Sequence, residues 1–154
     1  MILEPTISRT PRAFLSFAAA AAGMILVVSM TGVIASPDSL NGVDREKQKR
    51  TMAAMRSIGA AMEAYSVDNN VYPVAASILS LRPLLEPRYI NPLPMTDGWG
   101  WSFSISSVPS AYTLLSLGKD GTIISCAPAR TTDFRDDICM VNGGFTRYPA
   151  GPQQ

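Results

Sequence analysis

The stretch AFLSFAAAAAGMILVVSMTGVIA, Ala13 to Ala35, contains no charged residue. As a helix rising ~1.5 Å per residue it reaches about 34 Å, enough to cross the hydrocarbon core of a bilayer. Lipid offers the backbone no hydrogen-bond partners, so a lone segment crosses only as a helix. No polar face interrupts the run, which separates it from a buried helix of a soluble domain. Two readings remain. One is a retained single-pass anchor, since a signal core runs to about 7–15 apolar residues and this run is longer. The other is a secretory signal removed near VIASP, between Ala35 and Ser36, where Val33 and Ala35 supply small residues.

This run divides the chain. Residues 1–12 form a short N-terminal segment, 13–35 the anchor or signal, 36–43 a linker, and 44–150 a domain. Pro37, Asp38, Ser39, Asn41 and Gly42 read as the break. Roughly 115 residues follow the run, enough for one small core. Charge bears on the orientation of the anchor. Arg9 and Arg12 precede it, while Arg45, Lys47, Lys49 and Arg50 follow it, interleaved with Asp44 and Glu46. A positive-inside count favours the second cluster in the cytoplasm. A signal-like start followed by a two-cysteine domain favours export, and the translocated orientation is the expectation.

The whole chain has 154 residues, a formal net charge of +1 and no histidine. The balance excludes the basic excess usual in a nucleic-acid binder. The lack of histidine removes the commonest general base and the zinc motifs built on it. The GKDG at Gly118–Gly121 lacks P-loop spacing. Glu63, Asp68 and Glu86 are the carboxylates available for acid/base work, with Glu63 read as solvated on a helix. No serine has a histidine to activate it. The expectation is a protein that is not an enzyme.

In the domain, Met52, Met55, Ile58 or Gly59, Met62 and Tyr65 recur at three- and four-residue steps. They form one apolar stripe of an amphipathic helix, with Asp44 as N-cap and Asp68–Asn70 as the stop. A short helix is expected over Ala75–Leu81, ended by Pro83. Trp101, Phe103 and Ile105 alternate with serines and read as a strand with inward aromatics. Tyr112–Leu117 and the short TIIS at Thr122–Ser125 read as further strands. ICMV and FTRY flank a hairpin turn at Asn142-Gly143. The fold class is α+β: an N-terminal transmembrane or long helix, then an amphipathic helix packed on a small antiparallel sheet.

Cys126 and Cys139 are the only cysteines. In an oxidising compartment such a pair reads as a disulfide, worth about 3 kcal/mol on the chain-entropy account. In the cytosol they read as free buried thiols. Asp120, Asp133, Asp136 and Asp137 offer oxygen ligands to calcium, though without EF-hand spacing. The competing reading makes Asp120-Gly121 a turn and Asp133 and Asp136 solvated loop residues.

The pieces MRSIGAAMEAYSVDNNVYP, PMTDGWGWSFSI, AYTLLSLGKDG and DDI, taken in order over roughly residues 50 to 140, resemble the type II secretion pseudopilins, above all the major pseudopilin. The resemblance implies a long helix on a small antiparallel sheet, an inner-membrane single-pass anchor and a domain in the periplasm. It implies partners among other pseudopilins and secretion-system proteins, a membrane, assembly with further copies of the chain, and no nucleic acid. It also implies calcium bound in the loop after the Asp-Gly turn, at Asp120 and Asp137. The family's processing site is Gly followed by Phe-Thr-Leu-x-Glu. Here Phe14 follows Ala13, and Ala18 stands where the glutamate would fall. The expectation is that the Cys126–Cys139 disulfide ties the loop that calcium ties in the relatives. A stand-alone anchored or secreted periplasmic binding module, outside any filament, is the alternative.

Overall fold

A computed structural model describes residues 37–151 of the chain. The expected anchor over 13–35, the segment 1–12 and the candidate processing residues Ala13, Phe14, Ala35 and Ser36 lie outside the described residues. No helix among the described residues is long and apolar enough to cross a membrane.

Helix α1 runs from Pro37 to Asn69. The break expected over Pro37–Gly42 and the N-cap expected at Asp44 are therefore corrected. Turn preference is a weak signal here: serine, asparagine and aspartate each cost a helix at most about 0.7 kcal/mol relative to alanine. Gly42 costs about 1 kcal/mol relative to alanine, too little to stop a helix of this length. The stop falls where expected: Asn70 adopts φ 59° and returns its N–H to the Ser66 carbonyl at 2.8 Å.

Helix α2 covers Ile78–Leu85. It starts later than Ala75 because Ser77 and Ser80 form a reciprocal cap, and it continues through Pro83 to a C-cap at Glu86. Proline removes one N–H bond to the carbonyl four residues back, that of Leu79, whose side chain is exposed.

Five strands follow: β1 Ser104–Val108, β2 Ala111–Ser116, β3 Ala129–Thr131, β4 Ile138–Val141 and β5 Gly144–Pro149. Their order across the sheet is β1-β2-β4-β5-β3. All pairs are antiparallel except β3 with β5, which is parallel. The β4–β5 hairpin turns through Asn142 (φ 46°) and Gly143 (φ 78°), the left-handed pair an Asn-Gly turn supplies. Thr122–Ser125, expected as a strand, is not one. The edge at β1 is partly closed by backbone bonds from Ala75 to Ser107 and from Phe103 to Met95.

The main core lies between α1, α2 and one sheet face. Met55, Ile58, Met62, Leu81, Leu85, Tyr112, Leu114, Ile138 and Met140 are all buried there. The α1 stripe is thus the helix's inward face, and burying each such side chain stabilises the fold by about 1.5–3 kcal/mol. Gly59 faces this core closely: a Cβ there would sit 2.9 Å from Met140 Sδ. Successive strand residues face opposite ways, so Leu115 and its partner Cys139 face away from this core. Both are nonetheless buried, as is Phe134, and none belongs to the main cluster. Phe134 belongs to the loop between β2 and β4, whose Cys126 is bonded to Cys139.

Candidate functional site

A polar seam joins the first half of α1 to two loops. Asp44, Gln48 and Thr51 continue the inward stripe N-terminally, and all three are buried. Asp44 accepts from the Trp99 indole N–H at 3.1 Å and from the Lys119 ammonium at 2.7 Å. Burial opposes its charge, but those donors hold its carboxyl below the usual range. The Thr51 hydroxyl donates to the Lys47 carbonyl at 2.9 Å and accepts from the Gly98 N–H at 2.8 Å. Only a glycine allows that approach, since a Cβ at Gly98 would collide with the Lys47 backbone. Asp97, also buried, takes the N–H groups of Trp99 and Trp101 on one oxygen and the Ser116 hydroxyl at 2.8 Å on the other. The Asp-Gly-Trp turn and the Ser-x-Gly-Lys turn therefore meet on α1.

The loop from Gly118 to Asp137 is fastened at its base. Cys126 and Cys139 form a disulfide, with their Cα atoms 5.6 Å apart. Asp137 Oδ2 accepts from the N–H groups of Ile124 and Ser125, each at 2.7 Å. This capture replaces the strand expected over Thr122–Ser125, because the amides that would enter a ladder are spent on a carboxylate. Asp137 is fully buried, and its Oδ1 has no partner. Asp120 sits at the exposed turn and accepts from the Thr122 N–H at 3.0 Å. Asp133 takes the Arg135 side chain at 2.6 Å, and that guanidinium holds its carboxyl low. Asp136 takes Arg147 at 3.2 Å. The two candidate calcium residues, Asp120 and Asp137, thus bind the loop backbone at separate points. Among the described residues no group of three or more His, Cys, Asp or Glu side chains is placed to hold a metal ion.

The chain matches the profile of type II secretion system protein G over residues 39–125, which span α1, the seam and the first part of the loop. The chain belongs to the type II secretion protein G family, that of the major pseudopilin. A relative from Pectobacterium carotovorum subsp. carotovorum, named type II secretion system core protein G, is 27% identical over 131 residues, covering 75% of this chain and 78% of the relative. No solved structure matches.

In this member of the protein G family several placements depart from the sequence reading. Trp101, expected in the core, is 44% exposed and lies over Gly121, where a Cβ would strike its ring. Trp99 is half-buried in the seam. Glu63, read as solvated, accepts the Tyr72 hydroxyl at 3.0 Å and the Tyr112 hydroxyl at 3.4 Å. Burial and the Glu63 charge push the Tyr112 hydroxyl's pKa up. The seam was missed as a unit, although a signal existed. Asp44, Gln48 and Thr51 keep the spacing of Met55, Ile58 and Met62, so one helix face is polar first and apolar afterwards.

Among the exposed apolar side chains, two pairs stand close together in the fold or the chain. The Ala75–Ser107 bridge brings Val74 and Val108 to one sheet edge, and both are exposed. Ile123 and Ile124 stand out from the disulfide-tied loop.

Proposed function

We propose that this chain is a non-enzymatic, membrane-anchored pseudopilin-type subunit that serves protein export through protein–protein contacts. The family match across residues 39–125 carries the reading, because it runs through the helix and both turns of the seam rather than through one motif. The charge-free run Ala13–Ala35 supplies the anchor in the inner membrane, and the domain stands in the periplasm. The exposed apolar side chains at Val74, Val108, Ile123 and Ile124 give it surfaces for partners among the secretion-system proteins and further copies of itself.

Deleting the gene in its host and assaying a secreted enzyme tests this. The expected result is enzyme retained in the periplasm, with release restored by the full-length chain. Normal secretion in the deletion strain, with no cross-link from the domain to any secretion component, rejects it. A second reading has its own observation. Ala18 in place of the processing-site glutamate favours a stand-alone anchored or secreted binding module. N-terminal sequencing of the mature chain separates them: a start at Phe14 marks the pilin route, a start at Ser36 marks secretion, and an intact N-terminus marks a plain anchor.

A further inference from the structure

We infer that the Gly118–Asp137 loop is closed by its own covalent and backbone chemistry, and that its order follows the redox state of Cys126 and Cys139 rather than a divalent cation. Three bonds fasten residues 124–126 to residues 137–139: the disulfide and the two amides held by Asp137 Oδ2. Those amides supply the positive potential that a buried carboxylate at this position needs. The loop they fasten carries the buried Phe134 and is bonded through Cys126 to Cys139, which is buried on the far face of the sheet.

The side-chain donors do not fit a hard cation. Calcium takes about 6–8 oxygen ligands. Asp133 and Asp136 are bonded to Arg135 and Arg147. Asp136 Oδ2 also serves the N–H groups of Thr132 and Asp133. Asp120 closes its own turn. The buried carboxylate oxygen left over is Asp137 Oδ1, one donor where a cation needs several. The covalent tie is made by thiol–disulfide exchange: two thiols lose two electrons and two protons to a disulfide-bearing oxidant, which is reduced to its dithiol. Only where that bond is made rests on the proposed export of the domain. Purified, oxidised protein tests the inference without it.

The test is thermal melting of the full-length chain in detergent, oxidised or treated with dithiothreitol, in EDTA or in millimolar calcium chloride. The expected melting temperatures of the oxidised protein agree within about 1 °C between EDTA and calcium, and reduction lowers them by roughly 10 °C. A calcium-dependent rise of several degrees in the oxidised protein overturns the inference. So does a reduced protein that melts with the oxidised one. Trypsin supplies a second readout, should the reduced form not refold after melting. Cleavage after Arg130 and Arg135 is expected to appear on reduction in either medium. Cleavage there in oxidised protein on adding EDTA alone overturns the inference.

Discussion

The inward face of α1 meets the rest of the domain in two different ways. Its C-terminal half, Met55, Ile58 and Met62, lies in a dry core against Tyr112, Leu114 and Met140. Its N-terminal half, Asp44, Gln48 and Thr51, is also buried yet polar, and Asp44 and Thr51 meet the loops through hydrogen bonds. Apolar packing is strong and tolerates exchanges of similar volume. A hydrogen-bonded seam adds less net stability, but it accepts one register only, because a slip strands buried donors. The apolar half holds the helix onto the sheet, and the polar half fixes where along its length it sits.

Substitutions can break that division. Ile58→Ala empties part of the dry core and is expected to cost about 2–5 kcal/mol in urea unfolding of the chain in detergent. A loss below 1 kcal/mol would show that the core can collapse around the gap. Gly98→Ala forces a methyl group against the Lys47 backbone, which has no flexible end to give. It should cost about 1–3 kcal/mol and move the near-ultraviolet signal of Trp99. Thr51→Val keeps the shape but leaves the Gly98 N–H without its acceptor, an expected loss of about 1–3 kcal/mol in the same assay. Ile124→Ser, on the exposed loop, should stay within ±0.5 kcal/mol while weakening any cross-link through that surface.

Acid and alkali sharpen the comparison by addressing one half each. The pKa of Asp44 is depressed below 3.8 in the fold, so its contribution is complete above that value and is lost as pH falls through the lower folded value. Asp44→Asn should therefore flatten the acid limb of stability against pH. The Tyr112 hydroxyl is shifted the other way, above 10.0. Its contribution is present below pH 10.0 and is lost as pH rises beyond it, so Tyr112→Phe should flatten the alkaline limb alone.

What could be read from the chain divides along the same line. The stripe of Met55, Ile58 and Met62 was legible because burial imposes a helical period on a local run of residues. The Asn142-Gly143 hairpin was legible because its left-handed backbone admits few other residues. The seam was not, since Asp44 finds its partners 55 and 75 positions away, and no local rule connects them. Ile123 and Ile124 have strand-forming composition, yet Asp137 captures the amide of Ile124 and of Ser125 from 13 and 12 positions on. The three-residue β3 was too short and polar to announce a parallel pairing with β5. Of the loop, the cysteine pairing was anticipated for an oxidising compartment, while the burial of Leu115 and Cys139 on the far face of the sheet needed the register of β2 on β4.

The borders of the sheet carry a consequence for crowding. At one border, Ala75 occupies both backbone groups of Ser107 in the outermost strand; at the other, the terminal strand is three residues long and carries exposed Arg130. Neither offers a long bare row of amides and carbonyls on which a neighbouring molecule could extend the ladder. Copies packed side by side at high local density are thereby steered away from amyloid-like stacking, and any ordered array they build has to use side-chain surfaces.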